Sequence, residues 1–305
     1  MGDEPWKRRR PIRQAARILS EVSESEVGVD DVEFVGHGED YRVFGAALRL
    51  DAQRHRAVVR LPRSTVTSRQ GRRLRKAVEI QRRLRALELD FEVPRPLALR
   101  TSRTGLAVVE SRICGAELPD HIGNHAVDPV EITAAVAAEC HGIELDEVSD
   151  LLKPEKPGVD ADIELIQSSG LKGARQACQW IHRHRPPERR CLLHGDLLAQ
   201  NIVVRQPTDR DGRLAVGVVD WDGCRIGDPA RELARITGGY ETVYATGQTA
   251  DELLESYNRR SASTVDATAL RAHELIAIAR AGVDGGSDKR PGLQRRFSQL
   301  LERLE

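Results

Sequence analysis

A carboxylate and an amide five residues apart, Asp196 and Asn201, lie between two apolar runs in CLLHGDLLAQNIVV (residues 191–204), and a further carboxylate, Asp220, ends the next apolar run in LAVGVVDWDGCRIGDPARELA. Phosphoryl transfer asks little covalent chemistry of a protein. It needs an acid to accept or orient the proton of an attacking hydroxyl, hard-oxygen ligands for magnesium, and positive charge on the phosphates. Asp196 can supply the first of these, and Asn201 with Asp220 the second. An isolated Asp in a loop mostly caps a helix or fixes a turn. In this order and at this spacing, with His194 just before it, the chemical reading of Asp196 is the stronger one.

Such residues need elements to hold them. The runs CLL and NIVV read as short buried strands on either side of the polar turn. Upstream, residues 11–22 have the pattern of a helix, with Ile12, Ala15, Ala16, Leu19 and Val22 on one face. VEFVGHGEDYRVFGAALRL then reads as strand, glycine-bearing turn and strand, and HRAVVRLPR as a third strand stopped by Pro62. SRQGRRLRKAVEIQRRLRALEL is a strongly basic helix, with Leu74, Val78, Leu84 and Leu87 at helical spacings. A fourth strand, residues 106–110, runs into a connection at Gly115. Beyond it the character changes to helices: DPVEITAAVAAECHGI with its acidic first turn, one or two more in ELIQSSGLKGARQACQWIHRHR after a KPEKPG loop, and a helical tail from Asp251. The pattern predicts an α+β chain, with a small sheet-rich lobe over residues 1–110 and a larger, mainly helical lobe over 111–305.

The spacing His194-x-Asp196-Leu197-x-x-x-Asn201 matches the protein-kinase catalytic loop with Gly195 in place of its Arg, and Asp220 takes the position of the metal-binding Asp that follows. LLHGDLLAQNIVV followed by VVDWDGCRIGDPARELA resembles the aminoglycoside phosphotransferase family, kinase-like enzymes that phosphorylate hydroxyls of small molecules. The resemblance implies a bilobal protein-kinase-like fold, Asp196 as catalytic base, Asn201 and Asp220 as magnesium ligands, and His194 as a support of the loop. It implies a structural segment at Asp228 and Pro229, where the family has Asp in place of Glu232. In the first lobe it assigns Gly36 and Gly38 to a turn over the phosphates. It places Arg60 where the family has a phosphate-binding Lys, with Glu79 as its partner across strand and helix. The backbone of Ser111 and Ile113 would meet the purine edge. GEDYRVF and the strand around Arg60 are also similar to those of macrolide phosphotransferases. Arg and Lys are not interchangeable, but a guanidinium can grip two phosphate oxygens at once.

The bulk composition limits the alternatives. The chain has 305 residues and equal totals of 47 for Lys plus Arg and Asp plus Glu, so net charge names no polyanionic partner. Aromatics at 4% argue against a stacking platform for single-stranded nucleic acid. The KRRR run at residues 7–10 reads as a solvated approach to the first helix rather than a nucleic-acid contact. Five scattered cysteines without a C-x-x-C pair suggest neither a zinc ribbon nor a disulfide framework and fit a reducing cytosol. The basic start is followed by no apolar signal region, and no run reaches the length of a membrane span. A cytoplasmic monomer or homodimer is expected, binding ATP or GTP, Mg2+ and a small hydroxyl-bearing acceptor, but neither nucleic acid nor membrane.

Asp222 reads as a solvated acid or a second helper of the metal, and His141 as a structural helix-end histidine. His121, His125, His182 and His184 form no ligand-like pair. Three acceptor classes stay open: an aminoglycoside, a macrolide, or a metabolite such as choline, homoserine or a sugar. A silent kinase-like nucleotide binder is the alternative from another class. A metal-dependent hydrolase built on His194 and Asp196 lacks further histidine ligands.

Overall fold

Alternation with period two decides which way each strand of the N-terminal sheet faces. In the computed structural model, which describes residues 9–38, 40–121, 126–152, 159–184, 189–206, 214–238, 247–284 and 290–304, five strands form one antiparallel sheet. They are β1 (Glu33–His37), β2 (Tyr41–Leu50), β3 (Gln53–Pro62), β5 (Pro96–Ser102) and β6 (Gly105–Ser111), in the order β1-β2-β3-β6-β5. Phe44, Ala46, Leu48, Ala57, Val59, Leu61, Ala107 and Val109 share one buried cluster with Ala15, Ala16, Ile18 and Leu19 of α1 (Arg9–Ser20). Tyr41 and Val108 cluster instead with Leu74 and Val78 of α2 (Ser68–Leu84). With helices against both faces, β3 and β6 are apolar on both, which is why their sequences read as near-continuous hydrophobic runs. Arg60, between Val59 and Leu61, therefore points to the α2 side.

Helix α2 starts at a capping box: Thr67 accepts from the Gln70 N–H while the Gln70 side chain accepts from the Thr67 N–H. It buries Leu74, Ala77, Val78, Ile80, Gln81 and Leu84. Strand β5 is not visible in the sequence pattern, because PRPLALR carries prolines that suggest a loop; Pro96 pairs with Glu110 and Ala98 with Val109, so the register shifts at Leu97, and β5 is an edge strand, where proline is tolerated.

The chain divides into two compact units, Met1–Cys114 with Gly217–Asp222, and Gly115–Val216 with Gly223–Glu305. In the first, β4 (Phe91–Glu92) brings Phe91 to stack on Trp221, with ring centroids 6.0 Å apart. The strand β10 (Ala215–Val218) leads into this returning segment. The second unit carries α3 (Pro129–Gly142), capped by Asp128 on the Val130 and Glu131 amides, then α4 (Val159–Ser168) and α5 (Ala174–His184). After them come α6 (Pro229–Gly238), α7 (Gly247–Arg260), α8 (Ala267–Asp284) and α9 (Arg290–Leu304). Two short antiparallel pairs complete it: β7 (Ala116–Glu117) with β9 (Ile202–Arg205), and β8 (Cys191–Leu193) with β11 (Arg225–Gly227). CLL and NIVV are thus strands as expected, each paired with a different partner. The KPEKPG loop at residues 153–158 and His125 lie outside the described residues. No helix among the described residues is long and apolar enough to cross a membrane.

The core of the helical unit centres on Phe297 of α9, fully buried among Trp180, Ile181, Leu275, Leu293 and Leu301. Phe297→Ala should lower unfolding free energy by about 3–5 kcal/mol, because a large cavity replaces the ring. Denaturant titration with an unchanged slope measures this. A loss below about 1 kcal/mol would contradict the packing.

Candidate active site

The turn after β8 is held from beneath by one buried acid. Glu232 of α6 accepts the backbone N–H of His194 at 3.1 Å and that of Gly195 at 2.5 Å. Its Oε2 also meets His141 Nε2 at 3.0 Å, and His141 Nδ1 lies 3.0 Å from the Tyr257 hydroxyl. Burial alone would raise the Glu232 pKa. The hydrogen bond and charge of His141, with His194 and the Gly195 amide, outweigh it and bring the carboxyl down to about 2. Burial instead pushes the Tyr257 phenol up to about 12, so it stays a neutral partner. Glu232, a one-methylene change from the family's Asp, is therefore the anchor of the turn, and His141 is structural as expected.

Gly195 explains why the kinase-type Arg is missing. Its φ is +84°, and a Cβ there would run into the Gly223 carbonyl. His194, fully buried, meets the Asp196 N–H through Nδ1 at 3.3 Å. Asp196 is left reaching outward. Its Oδ2 accepts from Asn201 Nδ2 at 3.3 Å, and the same amide donates to the Asp196 carbonyl at 2.8 Å. Its Oδ1 receives both Nε and Nη2 of Arg235, at 3.2 and 2.5 Å. Asp196 and Asn201 are thus brought together within the second unit. Arg235 was missed, because an Arg in a helix pattern gives no sign that it points at a loop. Asp228 caps α6 on the Ala230 N–H at 2.8 Å and accepts the Arg189 N–H at 2.8 Å, so the helix that carries Glu232 and Arg235 is fixed at its start.

The first unit assembles around Arg60. The guanidinium forks onto Asp222, Nη1 to Oδ1 at 3.1 Å and Nη2 to Oδ2 at 2.8 Å, and Nη2 also reaches Asp220 Oδ1 at 2.9 Å. Its carbon lies 4.8 Å from the centre of the Tyr41 ring, a cation–π contact. Burial works against the charge on Arg60, but Asp222 and Asp220 more than reverse this, and its pKa stands above the ordinary value. Burial and the charge of Asp222 push Tyr41 up to about 12. Asp220 adopts φ +65°, in the left-handed region that an Asp can enter at some cost. Its side chain is 44% exposed, against 16% for Asp222. Arg73 of α2 donates Nε and Nη2 to the Asp222 carbonyl, at 3.2 and 3.1 Å. Asp222 is therefore neither solvated nor idle.

The expected pairing of Arg60 with Glu79 is not found. Glu79 sits on the outer side of α2, where it meets Arg82 at 3.3 Å and Arg83 at 3.9 Å. The inward position belongs to Gln81, which donates to the buried Glu110 of β6 at 3.1 Å. Burial raises the Glu110 pKa against the pull of Arg60. The buried acid next to Arg60 on this side of the sheet is thus on strand β6, and an amide faces it from the helix.

Gly36 of β1 and Gly38 just after it border the first turn, and a Cβ on either would meet open space. Gly38 N–H donates to the Tyr41 carbonyl at 3.0 Å, while Arg63 Nη1 binds the Gly38 carbonyl at 2.8 Å. The Ser111 N–H is committed to the Arg95 carbonyl, and its hydroxyl accepts the Arg95 N–H, both at 2.8 Å. Its amide is thus not open to a purine. Ile113 makes no backbone hydrogen bond among the described residues, and its side chain packs on Gly217.

Residues 31–273 match the phosphotransferase enzyme family, APH. The chain belongs to this family. It is 30% identical over 188 residues to viomycin phosphotransferase of Streptomyces vinaceus, a match covering 55% of this chain and 63% of that protein. The chain thus spans under two thirds of that relative's length. Among solved structures it is similar to a thermostable mutant of aminoglycoside phosphotransferase APH(4)-Ia in ternary complex with ADP and hygromycin B. The TM-score is 0.65 and the identity 18%, over 94% of this chain and 97% of that one. It is also similar to a GDP complex of aminoglycoside 2'-phosphotransferase-IIIa, with TM-score 0.63, 16% identity and 94% coverage of both chains. Spectinomycin phosphotransferase APH(9)-Ia with ADP and spectinomycin gives 0.52 and 15%, over 90% and 92%. These likenesses establish the bilobal α+β kinase-like fold.

The Glu232 anchor has a pH signature. A carboxyl with a folded pKa of about 2 against an ordinary 4.5 adds stability that is full above about pH 4.5 and is lost as pH falls toward 2. Urea midpoints between pH 6 and 3 should fall further for the wild type than for Glu232→Gln, which starts lower. An equal fall in both proteins would contradict an ionised anchor.

Proposed function

We propose that the chain moves the γ-phosphate of ATP or GTP onto a hydroxyl of a small molecule, and that this acceptor is an antibiotic of aminoglycoside or macrolide type. The observation that carries the reading is Asp196: an outward carboxylate on a turn whose backbone is pinned by a buried, ionised Glu232. An acceptor hydroxyl placed on Asp196 would give up its proton as its oxygen bonds to the γ-phosphorus and the bond to the bridging oxygen breaks. Preorganisation of this kind lowers the cost of reaching the reactive geometry. Arg60 is the cation proposed to face the phosphates, with the Gly36–Gly38 turn covering them and Ile113 meeting the purine edge. Residues 1–110 would then hold nucleotide and the helical remainder the acceptor.

The donor set suits magnesium. Asp220 offers a half-exposed carboxylate, and Asn201 spends its amide nitrogen on Asp196, which leaves its carbonyl oxygen for a ligand. Magnesium prefers such hard oxygens, one or two from protein and the rest from phosphates and water. Among the described residues no group of three or more His, Cys, Asp and Glu is arranged to hold a metal by itself. Asp220 and Asn201 are the residues that would bind the ion, which when bound neutralises phosphate charge.

The relative's name, viomycin phosphotransferase, and the hygromycin B and spectinomycin in similar structures support an antibiotic acceptor. Charge distribution supports a cationic one. Residues 1–114 carry 24 Lys and Arg against 16 Asp and Glu, while residues 115–305 carry 23 against 31. A basic nucleotide side and an acidic acceptor side suit a polyanion and a polycation in turn. One observation favours the second reading, a silent nucleotide binder: Asp220 and Asp222 both engage Arg60, so the cation is neutralised before any phosphate arrives.

The test is a panel of hydroxyl acceptors (aminoglycosides, macrolides, choline, homoserine and sugars) assayed for nucleotide consumption with magnesium and ATP or GTP. Asp196→Ala should lower turnover about 10²-fold or more, the usual scale of general-base help, with nucleotide affinity kept. Turnover near that of the wild type would remove Asp196 from the chemistry. Nucleotide binding without consumption across the panel would favour the silent binder.

A further inference from the structure

The partner of Asp196 bears on what the acceptor looks like. Glu232 and Arg235 are three residues apart on α6 and so share a face. Glu232 is buried and grips the main chain at His194 and Gly195, whereas Arg235 reaches one step further to the Asp196 side chain. The Arg235 and Asp196 side chains are 45% and 31% exposed, so the pair faces solvent. An exposed ion pair of this sort adds little to stability. Its position on the proposed base therefore points toward the ligand.

The geometry limits how a hydroxyl can approach. Asp196 Oδ1 is occupied by two N–H groups of Arg235, while Oδ2 carries one long bond from Asn201 at 3.3 Å. A carboxylate oxygen can accept two hydrogen bonds. The open acceptor site is on Oδ2, and a hydroxyl seated there lies beside a guanidinium. Arg235 Nη1 has no partner among the described residues. The group next to the reacting hydroxyl must therefore meet a donor-rich cation with no acceptor of its own.

We propose that Arg235 is a specificity-determining residue: it donates to a carbonyl, ring or carboxylate oxygen adjacent to the accepting hydroxyl, and disfavours acceptors with an ammonium group at that position. This rests on the phosphotransferase reading above. It agrees with the excess of acids in residues 115–305, because positive groups further along the acceptor would meet those acids rather than Arg235. The acceptor so described is cationic at a distance and carries an oxygen beside its reacting hydroxyl.

Three two-carbon acceptors isolate the effect, since each offers the same hydroxymethyl group: glycolamide, with a carbonyl beside it, 2-aminoethanol, with an ammonium, and ethylene glycol as the neutral reference. Phosphomonoester formation is followed by phosphorus NMR with magnesium and ATP or GTP. The wild type should favour glycolamide over 2-aminoethanol at least ten-fold in kcat/KM. Arg235→Gln, which keeps an N–H donor on a shorter side chain and removes the charge, should cut glycolamide use ten-fold, chiefly through KM, and shrink the preference below three-fold. Arg235→Lys should restore part of it. A purely structural Arg235 would lower all three acceptors together and leave the preference intact, and that result would overturn the inference. Nucleotide affinity and circular dichroism of both variants check that the fold survives. A wild type that phosphorylates none of the three overturns it as well, and the acceptor panel then shows whether the phosphotransferase reading falls with it.

Discussion

A buried guanidinium has to be neutralised, and the first unit is organised by that requirement. Arg60 lies near the end of β3, between the buried Val59 and Leu61, where an uncompensated charge would cost several kcal/mol. Asp222 supplies a two-pronged partner, Asp220 a second, and the Tyr41 ring covers one face. The segment that returns at Gly217–Asp222 belongs to this unit for the same physical reasons, with Trp221 stacked on Phe91 and Arg73 holding the Asp222 carbonyl. The left-handed backbone at Asp220 is the local cost of bringing two acids, two residues apart, to one cation. The planar fork of Arg60 takes both oxygens of Asp222 with two parallel N–H groups and still reaches Asp220 with one of them.

The second unit solves a different problem, the fixing of a tight polar turn. Here the anchor is an acid instead of a cation: Glu232 takes two backbone amides and a histidine, and the resulting stabilisation of its charge exceeds the burial penalty. Gly195 is the residue the turn demands, since neither its backbone angle nor the Gly223 carbonyl leaves room for a side chain. Each unit thus prepares its charges internally. Arg60 comes with its counter-ions, and Asp196 comes with Asn201 and Arg235.

The parts of the site that were legible in the sequence are those fixed by short spacing. His194, Asp196 and Asn201 fall within one turn, and their spacing between two apolar runs, matched to the kinase catalytic loop, points to the strand–turn–strand that the structure contains. The α+β character and most strands followed from period-two and helical patterns. What escaped was long-range or depended on helix register. The family resemblance pairs Glu79 with Arg60, yet the buried positions of α2 include 78, 80 and 81, and Glu79 turns to Arg82 and Arg83 instead. Gln81 and Glu110, 29 residues apart, could not be joined by any local rule. Asp222 reads as a solvated acid or a helper of the metal, because its partner lies 162 residues away and no local rule joins the two. Strand β5 was hidden by prolines that an edge position permits, and Arg235 by the ordinariness of an arginine on a helix.

Arg60, already held by two acids, is the cation proposed to meet the phosphates. Calorimetric titration of the wild type and Arg60→Ala with a magnesium–nucleoside triphosphate, and with the nucleoside alone, measures this most directly. Charge-assisted hydrogen bonds of about 1.5–3 kcal/mol each would make the variant bind triphosphate ten-fold or more weakly, with the nucleoside almost unaffected. Equal triphosphate affinity in the two proteins would contradict the account and leave Arg60 as a counter-ion for Asp220 and Asp222 alone.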